Sequence, residues 1–330
     1  MTSTPLPAYA FFDGRIVPYG EARVGVMTHG LQYGTGCFGG LRGFWNSAEE
    51  ELFVFRPHDH FQRFLESAKL LSLELPYSVD DLVASLGSLL REEGLRADCY
   101  IRPLAFAAEE RIGALGLEGM RAAVSIVAIP FGKYIENDKG AHVKISAWRR
   151  IDDNMIPARG KVSGAYVNTA LAKTDAQRGG FDDAIFLDQN GHVSEASAAN
   201  LFIVRNGSVS TPPITDNILE GITRRSLLEM LREEMGVPAV ERSIDRTELS
   251  LADEVFLAGT GVQVVSVTRI DHRPVGTGTM GPVTERLRQL NASVVHGEVP
   301  RYRRWCWPVY ASAAAGAPSP APMSASTGAR

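Results

Sequence analysis

Apolar residues along the first 130 positions follow two different spacings. Phe11-Phe12 and Ile16-Val17 flank Asp13-Gly14, two short apolar runs around a tight-turn dipeptide, which predicts a hairpin over 11–17. Residues 52–55 are continuously apolar and read as a strand. From 57 to 73, Phe61, Phe64, Leu65, Ala68 and Leu71 recur at helical spacing, and 79–93 repeats the pattern. Strand-like runs return at 99–106 and 123–130. The polar, glycine-bounded stretch 132–140 interrupts the pattern and predicts a domain boundary.

Beyond it, strands are predicted at 142–148, 184–187, 201–204, 254–257 and 262–267, and helices at about 165–178, 222–235 and 283–290. Turns fall at 188–191 and at Asn206-Gly207. Strands and helices mix without strict β-α-β alternation, so the expected class is α+β. The expected domains are 1–135 and 141–300, followed by a disordered tail over 301–330 that is rich in Ala, Ser, Pro and Gly from about Tyr310. The basic, aromatic run 301–305 reads as a surface segment.

Composition narrows the class. Apolar content of 45% with 22% charged residues is that of a soluble globular protein, and a net charge of −4 argues against nucleic acid as a partner. No basic-plus-apolar stretch resembles a signal peptide, and no run of 18 apolar residues could span a bilayer. Cys37, Cys99 and Cys306 are odd in number and lack close spacing. They read as reduced thiols, which predicts a cytoplasmic protein. His58 and His60 precede a helix without a third ligand nearby, so no metal site is expected.

Four segments carry candidate chemistry. Lys161 lies among small residues in Ala158-Arg159-Gly160-Lys161-Val162-Ser163-Gly164, just ahead of a helix pattern. A confined, partly desolvated amine there could form a Schiff base, although by position alone a solvated loop lysine is the commoner reading. Glu195 follows a strand-like stretch and by itself would be a surface glutamate. Gly221-Ile222-Thr223-Arg224 opens a helix with Leu227, Leu228 and Leu231 behind it. Free N–H groups and the positive dipole end suit an anion, and an ordinary threonine cap is the alternative. The glycines of Ala258-Gly259-Thr260-Gly261 allow a nest of N–H groups.

Taken together, Lys161 and the stretch 195–224 that begins 34 positions later resemble the signature of the class IV aminotransferases, the pyridoxal 5′-phosphate (PLP) fold type IV family. The resemblance runs from about 10 to 295. It implies a two-domain α+β fold of the D-amino-acid-aminotransferase-like kind, with a small N-terminal domain and a larger C-terminal one. It also implies PLP as cofactor. Lys161 would be the Schiff-base lysine, Glu195 the partner of the pyridine nitrogen, and Tyr166 the partner of the cofactor's O3′. Arg56, Ile222, Thr223 and Thr260 would hold the phosphate. Asn200 would fix the local backbone, and the amides of Thr260 and Gly261 would meet the substrate carboxylate.

Within that family, Tyr33-Gly34-Thr35-Gly36-Cys37-Phe38-Gly39-Gly40-Leu41-Arg42 is similar to the branched-chain pattern Y-G-x-x-x-F-E-G-x-R, and Tyr100-Ile101-Arg102-Pro103 to Y-I-R-P. Tyr33, Phe38 and Tyr100 would wall the side-chain pocket with Phe131 and Tyr134, and Arg102 would take the γ-carboxylate of glutamate. Two departures stand out: Gly39 replaces the usual glutamate, and Phe131 stands where tryptophan is frequent. Both remove bulk or polarity, which predicts a donor range widened toward larger L-amino acids or (R)-amines.

The implied activity is transamination of leucine, isoleucine and valine with 2-oxoglutarate, giving branched-chain 2-oxo acids and L-glutamate. An (R)-amine transaminase, a D-amino-acid aminotransferase, a bifunctional enzyme and a PLP-dependent lyase remain alternatives of the same fold, against which the Tyr100/Arg102 pair speaks. A catalytically silent PLP-binding dimer conflicts with an intact Lys161, Glu195, Arg56 and Thr223. A homodimer or higher homo-oligomer is expected.

Overall fold

The hairpin expected at Asp13-Gly14 forms: β1 (Tyr9–Phe12) and β2 (Arg15–Pro18) pair antiparallel, and both turn residues have positive φ, 46° and 92°. A two-residue turn between twisted strands requires that left-handed pair. The computed structural model describes residues 5–132 and 140–311. The chain divides into two units, Met1–Phe131 with Arg304–Arg330, and Gly132–Arg303.

The first unit continues with α1 (His29–Tyr33), β3 (Gly36–Phe38), β4 (Leu41–Asn46), β5 (Glu51–Phe55), α2 (Pro57–Leu70), α3 (Val79–Glu93), β6 (Cys99–Ala107) and β7 (Ala122–Pro130). Its antiparallel sheet runs from a C-terminal strand, Cys306–Pro308, through β5, β4, β6, β7 and β1 to β2, with β3 beside β6. A capping box between Ser78 and Asp81 starts α3. Phe61, Phe64 and Ala68 of α2 and Leu82, Leu86 and Leu89 of α3 are buried in one core with Leu52, Val54 and Ile101 of the sheet. Each large apolar side chain so buried contributes about 1.5–3 kcal/mol. On β6 the period of two is explicit: Cys99, Ile101, Pro103 and Ala105 are buried, while Tyr100, Arg102 and Leu104 occupy the other, more open face.

The second unit holds β8 (Ala141–Arg149), α4 (Tyr166–Arg178), β9 (Asp183–Leu187), β10 (Val193–Ala196), β11 (Asn200–Arg205), β12 (Ser208–Thr211), α5 (Ile222–Glu233), β13 (Ala239–Glu241), β14 (Glu254–Gly259), β15 (Gln263–Ile270) and α6 (Pro282–Val295). Its mixed sheet runs β10-β9-β8-β15-β14-β11-β12-β13, and β10 also pairs with β11. That extra pairing, Glu195 opposite Asn200, closes β10, β9, β8, β15, β14 and β11 into a ring. Val143, Ile185, Leu201, Ile203, Val255, Leu257 and Val267 share one apolar cluster. Ala172 and Ala176 of α4 pack with Ala184 and Phe186, so β9 is covered on both faces. Continuous burial is why 184–187 reads as an unbroken apolar run.

The tail expectation is corrected for 301–311. This segment is a 3₁₀ turn, Pro300–Trp305, followed by the strand against β5. Glu51 explains the order: its Oε1 accepts N–H bonds from Leu52, Val309 and Tyr310 at 2.8, 3.0 and 2.8 Å, and its Oε2 one from Ala311 at 2.7 Å. A buried carboxylate needs such donors, and residues 309–311 supply three of them. Residues 312–330 lie outside the described residues.

Candidate active site

The second unit gathers most of the predicted residues around the strand pairing that closes its ring. Glu195 is buried on β10, and its Oε1 lies 2.7 Å from Nη2 of Arg150, which follows β8. Its Oε2 accepts from Asn200 Nδ2 at 2.9 Å and from the Leu219 N–H at 3.1 Å. Asn200 Nδ2 also donates to the Leu219 carbonyl at 3.0 Å, so it fixes both the carboxylate and the segment leading into α5. A buried carboxylate with a guanidinium and two N–H donors around it is held as an anion.

Lys161 is half-buried in the loop between β8 and α4, and its Nζ donates to the Tyr166 hydroxyl at the first position of α4. The loop is pinned at several points. Ala158 N–H donates to Asp153 at 2.8 Å, Arg159 pairs with Glu220 at 2.8 Å, and Arg150 Nε donates to the Asn217 carbonyl at 3.1 Å. Two of these contacts tie the lysine's loop to residues 217–220, just ahead of α5.

The start of α5 is capped by Gly221 without a side-chain hydrogen bond. Thr223 is therefore not the cap, and both it and Ile222 are buried. A Cβ on Gly221 would stand 2.0 Å from Asn200 Oδ1, so only glycine permits this approach. Thr260 and Gly261 occupy the turn from β14 to β15. Asn200 is registered opposite Ala258, and a Cβ on Gly259 would come 3.1 Å from the Ala198 carbonyl. Glu195, Asn200 and the end of β14 thus follow one another across neighbouring strands.

In the first unit, Phe38, Tyr100, Arg102 and Phe131 come together, whereas Tyr33 makes its contacts elsewhere. The Arg102 guanidinium carbon lies 4.4 Å from the Phe38 ring centre and 5.2 Å from that of Tyr100, and Nη2 donates to the Tyr100 hydroxyl at 3.0 Å. Tyr100 and Phe131 rings are 5.4 Å apart. Tyr33 packs on His29 at 4.6 Å, and its hydroxyl accepts from the Gly113 N–H. Tyr134 lies outside the described residues.

Gly39 does not open space, contrary to the expectation from its small size. A Cβ there would lie 2.6 Å from Pro103 Cγ, because the proline ring fills the position a side chain would take. Arg56 adopts φ 48° and ψ 50° at the N-cap of α2, and its Nε lies 2.7 Å from Asp59 Oδ2.

Two arginines escaped sequence reasoning. Arg150 is one of two consecutive arginines after a strand, and no spacing rule connects it to Glu195. Arg42 was visible as a motif letter without a role. It is buried and donates to the Phe131 carbonyl at 2.9 Å, with its guanidinium carbon 5.2 Å from the Phe131 ring centre. Burial lowers its pKa against the opposing pull of Asp98. Burial also pushes the Cys37 and Cys99 thiols up to about 12, leaving them unreactive. Among the described residues, no group of three His, Cys, Asp or Glu side chains could hold a metal ion, and no helix is long and apolar enough to cross a membrane.

Residues 41–270 match the family model described as amino-transferase class IV. A probable branched-chain-amino-acid aminotransferase from Aquifex aeolicus is 43% identical over 302 residues, which are 92% of this chain and 97% of that one. The crystal structure of a branched-chain aminotransferase from Thermoproteus uzoniensis with norvaline superposes with a TM-score of 0.88 at 39% identity, covering 92% of this chain and all (100%) of the other. The PLP form of a branched-chain amino acid aminotransferase from Thermobaculum terrenum gives 0.88 at 36% identity, covering 92% and 99%. With the signature around Lys161 and Glu195 embedded in that match, the chain belongs to the class IV aminotransferases.

Proposed function

We propose that this aminotransferase moves amino groups between branched-chain L-amino acids and 2-oxoglutarate with PLP as cofactor. The observation that carries the substrate reading is the guanidinium of Arg102 lodged between the Phe38 and Tyr100 rings on the open face of β6. An aromatic wall accepts an aliphatic side chain, and one placed guanidinium accepts the second carboxylate of glutamate. The Aquifex, Thermoproteus and Thermobaculum proteins carry branched-chain names, which supports the same substrates.

The second unit fits PLP by its donor set: a half-buried amine, a phenol beside it, a buried carboxylate and a helix start without a side-chain cap. Lys161 would hold the cofactor covalently, Glu195 its ring nitrogen and Tyr166 its phenolic oxygen. Ile222 and Thr223 N–H groups, Thr260 and Arg56 would take the phosphate. When bound, PLP supplies an aldehyde for the amino group and a ring that withdraws electrons from the substrate's Cα.

The chain's own residues do the rest. Lys161 Nζ, released from the cofactor when the substrate's amino group takes its place, would carry the proton from the substrate's Cα to C4′ of the cofactor, and the Tyr166 hydroxyl would hold that freed amine in place. Glu195 keeps a proton on the ring nitrogen because Arg150 and Asn200 hold it as an anion. Thr260 and Gly261 N–H groups orient the substrate's α-carboxylate.

The functional assembly is a homodimer in this reading. Val26, Leu31, Ile112 and Leu115 are exposed on neighbouring segments of the first unit, which the Thr28–Glu110 bridge joins. A monomer seldom leaves such a set in water. The buried Cys37 and Cys99 thiols suit a reducing cytoplasm. A half-reaction screen with L-leucine, L-isoleucine, L-valine, D-alanine and (R)-1-phenylethylamine, read by cofactor absorbance, tests the substrate. Faster conversion of D-alanine or the amine would move the enzyme to another subfamily. Sedimentation of an active monomer would remove the dimer.

A further inference from the structure

Arg56 combines three features, two of which depend on a residue far off in sequence. It is a non-glycine residue in the left-handed region, at φ 48° and ψ 50°, where strain persists only if the surroundings enforce it. Its N–H donates to the Trp305 carbonyl at 2.6 Å. Its guanidinium carbon lies 4.8 Å from the Trp305 ring centre, while Asp59 takes its Nε at 2.7 Å.

The partner on two of these counts lies 249 residues along the chain, placed there by strand register. Cys306 pairs with Phe55, so the residue before Cys306 stands beside the residue after Phe55. Glu51 anchors that register through Val309, Tyr310 and Ala311, and Arg91 Nη1 donates to the Val309 carbonyl at 2.9 Å. Phe55 meets the indole edge-on at 5.9 Å and 87°, which fixes the ring plane under the guanidinium. The indole is 6% exposed, so the cation–ring contact is little weakened by water.

We propose that Trp305 is a positioning residue for Arg56: the C-terminal strand brings its indole and carbonyl to the arginine and so holds in one orientation the guanidinium that would receive the cofactor phosphate. The proposal rests on the reading of Arg56 as a phosphate ligand. A flexible arginine must be ordered on each binding event, whereas one stacked on an indole and held by Asp59 is ordered beforehand. The strand Cys306–Pro308 thereby contributes to cofactor retention.

The test compares apoenzyme affinities for PLP and for pyridoxal, which lacks the phosphate, in wild type, Arg56→Ala, Trp305→Leu, Trp305→Phe and the Arg56→Ala/Trp305→Leu double variant. Trp305→Leu should weaken PLP binding about tenfold and leave pyridoxal within about twofold, and Trp305→Phe should restore most of the loss. In the Arg56→Ala background the same change should cost less than about twofold. Equal weakening for PLP and pyridoxal would make Trp305 merely structural and overturn the proposal. If Arg56→Ala weakens PLP but Trp305→Leu does not, the positioning role alone is wrong. Unchanged PLP affinity in Arg56→Ala would instead overturn the phosphate reading of Arg56, and the proposal with it. If Trp305→Leu does not fold, Trp305→Phe and Trp305→His carry the same comparison: a phosphate-selective loss graded with ring character supports the role, and none refutes it.

Discussion

Arg150 Nη2 stands 2.7 Å from Glu195 Oε1, and both side chains are almost wholly buried. Neither charge is tolerable there alone. Removing one member of such a pair typically costs about 3–5 kcal/mol, because the other is left uncompensated. Arg150→Met should therefore lower the melting temperature markedly, and so should Glu195→Gln to a lesser degree. In the double variant the losses should fall well short of additive. Additive losses in thermal unfolding would show that the two groups are not coupled.

Lys161→Ala should abolish turnover while leaving the fold and the melting temperature of the cofactor-free protein close to wild type. The half-buried side chain supports little core. Borohydride reduction of the holoenzyme followed by peptide mapping should label Lys161, and a label on any other lysine would unseat it.

Gly221→Ala tests how tightly the start of α5 is built. The new methyl would meet Asn200 Oδ1 at 2.0 Å and must push that side chain off both Glu195 and Leu219. A loss of about 1–3 kcal/mol in stability is expected, with weaker cofactor binding. Asn200→Ala should weaken cofactor binding in the same way. Adding Gly221→Ala to Asn200→Ala should cost little more. A fully additive pair would mean that the clash lies elsewhere.

These relationships differ in how far the chain's linear order announces them. Tyr100 and Arg102 alternate with buried Ile101 and Pro103; the sequence predicts the strand over 99–106, and the resemblance to Y-I-R-P, not the periodicity, singled out the pair. Lys161, Glu195 and the helix start at Ile222 were legible as a signature. Arg150 was not, because its partner lies across the parallel strands β8 and β9, a pairing that no local pattern encodes. The strand Cys306–Pro308 escaped for a related reason. Three residues carry no periodicity, and its order comes from Glu51, which lies far off in sequence. Gly39 misled because smallness in sequence suggests room, whereas Pro103 occupies that room.

His142 gives a pH dependence to the second unit. Its Nε2 is 3.3 Å from the His272 N–H, a contact that needs an unprotonated nitrogen. Burial holds its pKa below the usual 6.5, followed by Arg269 and His272, against the upward pull of Asp182 and Asp271. The unfolded chain therefore takes up a proton at a pH where the fold does not. This contribution is intact above about pH 6.5 and is lost as the pH falls below it. In His142→Gln, the melting temperature should decline less steeply between about pH 7 and 5 than in wild type. Equal slopes would assign the acid sensitivity to other groups.

Arg102 separates the two half-reactions. Only glutamate and 2-oxoglutarate bring a second carboxylate, and an uncompensated carboxylate against Phe38 and Tyr100 is costly to desolvate. Arg102→Leu should depress the single-turnover rate with L-glutamate by about tenfold or more, the loss of a charge-assisted contact. With L-leucine and L-isoleucine the change should stay within a few-fold, since an apolar side chain meets the two rings whichever residue stands between them. The Tyr100 hydroxyl accepts from Arg102 Nη2, so Tyr100→Phe provides the control: it removes that tether while keeping both rings and the charge. It should raise the KM for glutamate modestly and leave leucine nearly unchanged. Equal losses for glutamate and leucine in Arg102→Leu would show that the guanidinium holds the aromatic wall together, and the dicarboxylate selectivity would then have to come from another cation.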